Sequence, residues 1–333
     1  FFELARDNKP FNLFAPHTVE REYGIALDDM DMDEMYDKLV ANDNVRKREY
    51  DARDMLNTIA QTQLQSGYPY LMFKDNANKV HPLGDIGQIK ISNLCTEIFQ
   101  LQETSEINDY GTDDVIKRDI SCNLGSMNIA NVMESGKVKE TVHEGIAALT
   151  LVSDDTAIAN APGVKKANDE LHSVGLGAMN LHGYLAKNKI SYESEEARDF
   201  ANVFFMMLNF YSIEKSMEIA TERGVKFRDF ERSDYATGKY FERYVQEDFA
   251  PVSDKVAELF EHIHVPTKED WADLKSKVQE NGLYHAYRLA IAPTQSISYV
   301  QNATSSVMPI VDTIERRTYG NSETFYPMPF LSK

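Results

Sequence analysis

The stretch Ile91-Ser-Asn-Leu-Cys-Thr-Glu-Ile98 (ISNLCTEI) spaces an amide, a thiol and a carboxylate two residues apart, in a chain with only two cysteines. Asn93, Cys95 and Glu97 alternate with Leu94, Thr96 and Ile98. In extended backbone successive side chains point to opposite faces, so the three polar groups would share one side. On a helix Asn93 and Glu97 would be neighbours while Cys95 pointed elsewhere. The spacing predicts an extended loop or strand that presents all three to one volume. A lone cysteine is commonly a small buried hydrophobe, and that plainer reading stands beside a reactive one. A purely structural strand face seldom collects three such groups. A thiolate nucleophile wants a His or another cation beside it, and no His lies within ten residues. Glu97 disfavours the thiolate by like-charge repulsion. The neighbourhood suits a neutral thiol, the form that reacts by hydrogen-atom transfer.

Around this stretch lies an ordinary globular composition: 333 residues, 42% hydrophobic and 26% charged. The length holds one large α/β domain or two smaller ones and buries a sizeable core. A formal net charge of −18 argues against a general nucleic-acid binder, which needs clustered Lys and Arg. It leaves room for a phosphorylated small ligand held by a local backbone site. No run of about 18 apolar residues suggests a membrane span, and the start FFELARDNKPF is no signal peptide. Two cysteines without a CxxC make neither a disulfide framework nor a structural zinc site. The expectation is a reducing, cytoplasmic compartment, in which the sequon at Asn302 is a chance match. The missing initiator Met suggests a piece of something longer.

Along the chain, 28–67 reads as helical and is ended by Gly67 and Pro69. Residues 68–100 suit loops and strands, and 103–118 an exposed polar excursion. ISCNLGSMNIANVM (120–133) resembles a strand running into a turn. Long helices are expected at 138–160, 166–187 and 194–223, the last apolar nearly all round and therefore deep in the fold. Segment 228–282 reads as surface helices and connections, and 288–317 as short apolar strands with hydroxyl-rich turns. Strands and helices interleave, so the class is α/β.

Cys122, in ISCNLGSMNIA, reads alone as a buried inert thiol. The tract Pro293-Thr-Gln-Ser-Ile-Ser298 follows the apolar RLAIA as strand, turn and helix start. Free backbone N–H groups there would make an anion site, and plain N-capping by the hydroxyls is an equal reading. Three features are set aside. Gly175-Leu-Gly177 lacks the third glycine and a clear preceding strand of a dinucleotide fingerprint. His262 and His264 have metal-like spacing but no supporting cluster. The acidic run 28–34 reads as a solvated helix face without the Gly and terminal Glu of an EF-hand. No metal site is expected.

Taken together, SNLCTEI, SCNLGSMNIA, GLGAMNLHGYLA and APTQSISYVQNATSSVMPI with TFYPMPFL resemble the large (alpha) subunit of ribonucleotide reductase, most closely the class Ib ribonucleoside-diphosphate form of bacteria and their phages. The resemblance implies a ten-stranded α/β barrel with a central finger loop, of which 1–333 would be the central and later part. It implies that Cys95 becomes a thiyl radical and abstracts the ribose 3′ hydrogen. Glu97 would accept the 3′-hydroxyl proton, and Asn93 would bind the substrate hydroxyls. Cys122 would be one of the redox pair that reduces the 2′ position. Asn93, Leu94, Cys95, Thr96 and Glu97 would line the substrate. Pro293, Thr294, Gln295, Ser296 and Ile297 would hold its diphosphate. The implied role is deoxyribonucleotide biosynthesis for DNA replication. The implied partners are a small radical-generating beta subunit with a metal-radical cofactor and a thioredoxin- or glutaredoxin-type dithiol protein. A second copy or companion segments would complete the assembly, with no cofactor held in this chain.

The chain also departs from the family. The second redox cysteine, the tyrosine doublet that relays the radical and the C-terminal cysteine pair are absent. The nucleotide effector region is expected upstream. Gln295 stands where several relatives carry Gly. The isolated chain is therefore expected to be an incomplete enzyme. Its rivals are a non-catalytic nucleotide-binding or assembly relative, against which the intact Asn93, Cys95 and Glu97 argue, and a glycyl-radical barrel enzyme.

Overall fold

The computed structural model describes residues 1–108, 110–121 and 123–328, in two compact units, Phe1–Gln102 and Glu103–Lys333.

In the first unit, β1 (Pro10–Phe14) pairs antiparallel with β2 (Lys47–Asp51), Phe11 opposite Tyr50. β2 interrupts what the sequence suggests is one helical region. KREYD is polar and its weak alternation is hidden in a charged run. The helices on either side, Met32–Ala41 and Ala52–Ser66, start where Asp31 and Asp51 accept N–H bonds from Asp33 and Asp54, so each acidic side chain satisfies an orphan donor of the first turn. Gly67 ends the second at φ 78°, as expected. A small core of Val19, Met30, Leu39 and Val45 fills the space beneath. Residues 68–100 carry one short helix, Lys74–Lys79, and no strand. Side-chain amides bond the irregular backbone there. Asn78 bonds Ile89 in both directions (2.9 Å each), and Gln102 Oε1 accepts from Lys90 and Ile91 N–H while its Nε2 donates to Ile91 O. The amides stand in for a strand partner, so buried Ile89, Ile98 and Leu101 are held without a sheet.

In the second unit, β3 (Leu124–Asn128) and β4 (Gly175–Met179) run parallel, Leu124 opposite Gly175. A parallel bridge from Leu176 to Leu289 adds the segment 288–291 on the far side of β4. β4 corrects the expected helix over 166–187, which is instead helix Pro162–Leu171, strand, and helix Leu181–Lys187. GLGAM is a strand because a Cβ at Gly177 would lie 2.1 Å from the Ala290 carbonyl oxygen, so the close approach requires glycine. β3 runs into the helix Ile129–Ser135, where the sequence suggested a turn. Helix Val138–Asp155 packs on the long helix Glu195–Arg223, which Ser194 caps and Gly224 ends. Phe200, Phe204, Met207 and Ile213 of the long helix are buried, as its apolar circumference predicts. Short helices between 230 and 281 pack Trp271 against Phe210 and Tyr244. The expected strands of 288–317 reduce to the Leu289 bridge, a helix Gln295–Val300, and β5 (Ile314–Tyr319), which forms a hairpin with β6 (Ser322–Pro327). The architecture is mixed α/β. Among the described residues the strands form three pairs and no closed barrel. No described helix is long and apolar enough to cross a membrane.

Candidate active site

Cys95 lies in the first unit, at a turn. Thr96 N–H donates to Asn93 O at 3.1 Å, and Thr96 takes φ 63°. That left-handed conformation costs a β-branched residue roughly 1–2 kcal/mol. Asn93 Oδ1 accepts from Glu97 N–H (3.1 Å) and Ile98 N–H (3.0 Å), closing the turn from inside. This corrects the expected extended alternation: a tight turn spans 93–96, and the Asn93 carbonyl oxygen is spent on backbone, leaving its NH₂ to donate. Cys95 is free and exposed, so the buried-hydrophobe reading falls. Leu94 is 77% exposed beside it. Glu97 is half-buried, and its Oε2 is buried without a hydrogen-bond partner among the described residues. Such a lone oxygen is costly unless a ligand or proton meets it. Tyr70 is a neighbour the sequence reading did not single out. Its ring lies 5.0 Å from that of Tyr68, and its hydroxyl is pushed up first by Tyr68 and in smaller part by Cys95. The only signal for it was the aromatic repeat in GYPY.

The second unit places the 293–297 tract at a cleft of about 260 Å³, lined by Leu124, Gly125 and Ser126 of β3 and by Ala292–Ile297. Pro293, Gln295, Ser296 and Ile297 are exposed, while Thr294 and Ser298 are buried. Thr294 stands at the N-cap of Gln295–Val300 without capping it, because its Oγ1 accepts from Ser306 N–H at 2.7 Å. Ser298 Oγ donates back to Gln295 O. The plain N-capping reading is thereby removed for Thr294, and the first-turn N–H groups are left without its hydroxyl. Gly125 and Ser126 were legible only as part of a motif, not as cleft residues. Cys122 lies outside the described residues.

All 333 residues match the family model for the ribonucleotide reductase barrel domain. The chain belongs to that family. The reductase barrel domain is an α/β barrel, and the mixed α/β layout of this chain agrees with it. The chain is 57% identical over 332 residues to the ribonucleoside-diphosphate reductase subunit alpha of Bacillus subtilis (strain 168), covering 100% of this chain and 47% of that protein. It is 54% identical over 242 residues to the nrdEB subunit alpha of Bacillus phage SPbeta, covering 73% of this chain and 22% of that one. The subunit alpha of Mycoplasma pneumoniae is 43% identical over 333 residues, covering 98% and 46%. This reductase barrel chain thus spans about half the length of the full-length bacterial relatives.

Among the described residues, two side-chain groups have metal-ligating geometry, and neither includes an expected site residue. In the first, His143 Nε2 lies 2.9 Å from Glu214 and its Nδ1 3.8 Å from Glu218. Lys139 and Lys215 already pair those carboxylates, at 2.8 and 3.2 Å. The second, Asp31, Asp33 and Asp75, is paired by Lys79 and Lys74. A cavity of about 520 Å³ between Lys139, Tyr211 and Asp273 also holds none of the family's motif residues. His262 is exposed, and His264 pairs with Asp270. Both groups read as ion-pair networks, the first of them half-buried.

Proposed function

We propose that the chain is the central and later part of the catalytic barrel of a ribonucleoside-diphosphate reductase alpha subunit, acting by a thiyl-radical mechanism. The observation that carries this is the end-to-end match to the reductase barrel, with Cys95 free and exposed at a strained turn. The full barrel would have ten strands around a finger loop bearing that turn, completed by segments beyond the present chain. The oxidising equivalent that makes the thiyl would come from a small partner subunit carrying a metal-radical cofactor.

Cys95 Sγ takes the ribose 3′ hydrogen atom, so a C–H bond breaks and an S–H bond forms. The unpartnered Glu97 Oε2 takes the 3′-hydroxyl proton, and the Asn93 NH₂ orients the hydroxyls. The 2′ hydroxyl leaves as water. Cys122 and a second thiol supply two electrons and two protons, one proton to the departing water and one to C2′, closing as a disulfide; Glu97 returns its proton to the 3′ oxygen, and the 3′ hydrogen atom returns from Cys95. The chain's only other cysteine is Cys95 itself, so the second thiol comes from another segment. An external dithiol protein then reopens the disulfide. Pro293–Ile297, facing Gly125 and Ser126, takes the diphosphate. Nucleotide effectors would bind upstream, and the protein would work in the cytoplasm as an assembly of copies or companion segments.

Deoxynucleotide formation from CDP tests this, using the natively purified assembly with a small radical subunit and a dithiol reductant. Cys95→Ala should give no product while CDP affinity stays within about threefold of wild type. CDP bound without product from either protein would point to a nucleotide-binding relative. Binding lost along with activity in Cys95→Ala would remove the radical role.

A further inference from the structure

We infer that Asn180 is the positioning residue that fixes the two walls of the 260 Å³ cleft relative to each other, and so sets how tightly the cleft grips a diphosphate. This rests on the diphosphate reading of that cleft.

One wall belongs to β3, and the other is the turn Ala292–Ile297. No strand ladder joins the turn to β3. The buried Asn180 amide makes the connection. Its Nδ2 donates to Asn128 Oδ1 (2.9 Å) at the end of β3. Its Oδ1 accepts from Thr304 N–H (3.0 Å) and lies 3.3 Å from Thr304 Oγ1. Its own N–H donates to Thr304 O at 3.0 Å. Thr304 and Ser306 share one loop, and Ser306 N–H holds Thr294 Oγ1 in the turn (2.7 Å). Asn128 Nδ2 reaches the same loop at Gln301 Oε1 (3.3 Å). Asn180, Asn128, Thr304, Ser306 and Thr294 are each at most 7% exposed. Buried amide hydrogen bonds of this kind are costly to break singly.

The residue type follows from the same geometry. Position 180 has φ 71°, which Asn tolerates and most side chains do not. Thr304 Oγ1 also accepts from Gly183 N–H at 3.1 Å, and a Cβ at Gly183 would lie 2.1 Å from Asn180 Oδ1. The helix after β4 begins with a glycine-sized gap that the amide fills. None of these side chains needs to touch the ligand. Asn180 acts through Thr304 and the turn.

Calorimetric titration of the chain with a ribonucleoside diphosphate and with the matching nucleoside separates positioning from general stability. The readout is the ratio of the two affinities, which overall destabilisation leaves alone. Asn180→Gly keeps the backbone conformation and removes the amide. In this variant the advantage of the diphosphate should shrink roughly tenfold, the worth of about one buried hydrogen bond. Nucleoside affinity should stay within about twofold of wild type. An undiminished ratio, or an equal loss for both ligands, would overturn the inference while leaving the diphosphate reading intact. A wild-type chain with no preference for the diphosphate would sink both. Should Asn180→Gly fail to give a native circular-dichroism spectrum, Thr304→Ser and Thr304→Val decide. Serine keeps the hydroxyl and must keep the ratio, and valine must lower it. A valine variant with the full ratio would equally overturn the inference.

Discussion

Glu97 carries a buried carboxylate oxygen that nothing in the described chain pairs, four residues from an amide that holds its own backbone N–H. Folding would normally protonate, pair or hydrate such a group. A proton-accepting step would use it as it stands. Glu97→Gln keeps the shape and removes the base. Turnover of the reconstituted assembly should fall by about 10²–10⁴-fold, with CDP affinity changed by no more than a few-fold. Rapid-quench single-turnover product formation measures it, and an undiminished rate would take the proton role from Glu97. The neighbouring strain at Thr96 belongs to the same logic. A threonine at φ 63° persists only where the surroundings over-determine it, here through the two N–H bonds to Asn93 Oδ1. The residues of this turn were legible from their types and order. Their arrangement was not, because alternation in sequence gives no sign that a non-glycine residue will adopt a left-handed backbone.

At the scale of elements, β4 shows where pattern reading stops. GLGAM has no β-branched residue and lies between two helical stretches, so its period is invisible in one dimension. What makes it a strand is its neighbours: β3 on one side, and on the other Leu289 with the Leu176 N–H bond to Arg288 O (2.8 Å). The long helix Glu195–Arg223 is the opposite case. Its Ser cap, terminal Gly and apolar circumference are all local, and the helix ends where they say. The strand's dependence on close approach predicts an asymmetry between two glycines. Gly177→Ala would set a Cβ 2.1 Å from Ala290 O and 3.3 Å from Ile291 Cα, backbone atoms that cannot rotate away. The segment 288–291 would have to part from β4. A loss of about 3 kcal/mol or more is expected. At Gly125 a Cβ meets only Leu149 side-chain atoms at 3.4 Å or beyond, and alanine there should cost less than about 1 kcal/mol. Urea midpoints of the two variants compare them, and equal midpoints would mean that the segment is not held against β4.

Across the whole molecule, the net charge of −18 invites the view that acid should relieve repulsion and stabilise the fold. The buried and half-buried histidines point the other way. Burial holds His81 down to about 4, and it likewise depresses His172 and His182, with His285 held well below the ordinary range. His285 is bonded as a neutral ring: Ser216 Oγ lies 2.9 Å from Nδ1, and Nε2 is 2.9 Å from Thr150 Oγ1, whose own hydrogen goes to Ile146 O. His81 and His285 stay neutral when folded and take a proton near 6.5 when unfolded, and burial displaces His172 and His182 in the same direction. Below 6.5 the unfolded chain therefore binds more protons, and stability falls with pH at up to about 1.4 kcal/mol per pH unit per histidine. For His81 alone the loss reaches roughly 2 kcal/mol by pH 5. Carboxylates held low by cationic partners, such as Glu103 by Arg118 and Glu214 by Lys139, lose their contribution only below about 4.5. The window between pH 6.5 and 5 thus belongs to the histidines. His81 lies in the first unit and the other three in the second, so both units should weaken in it. Urea unfolding at pH 7.5 and 5.0 should show a lower midpoint at the lower pH, and His81→Asn should flatten the change for the first unit. A midpoint that rises on acidification would mean that relief of the net charge outweighs two buried and two half-buried imidazoles.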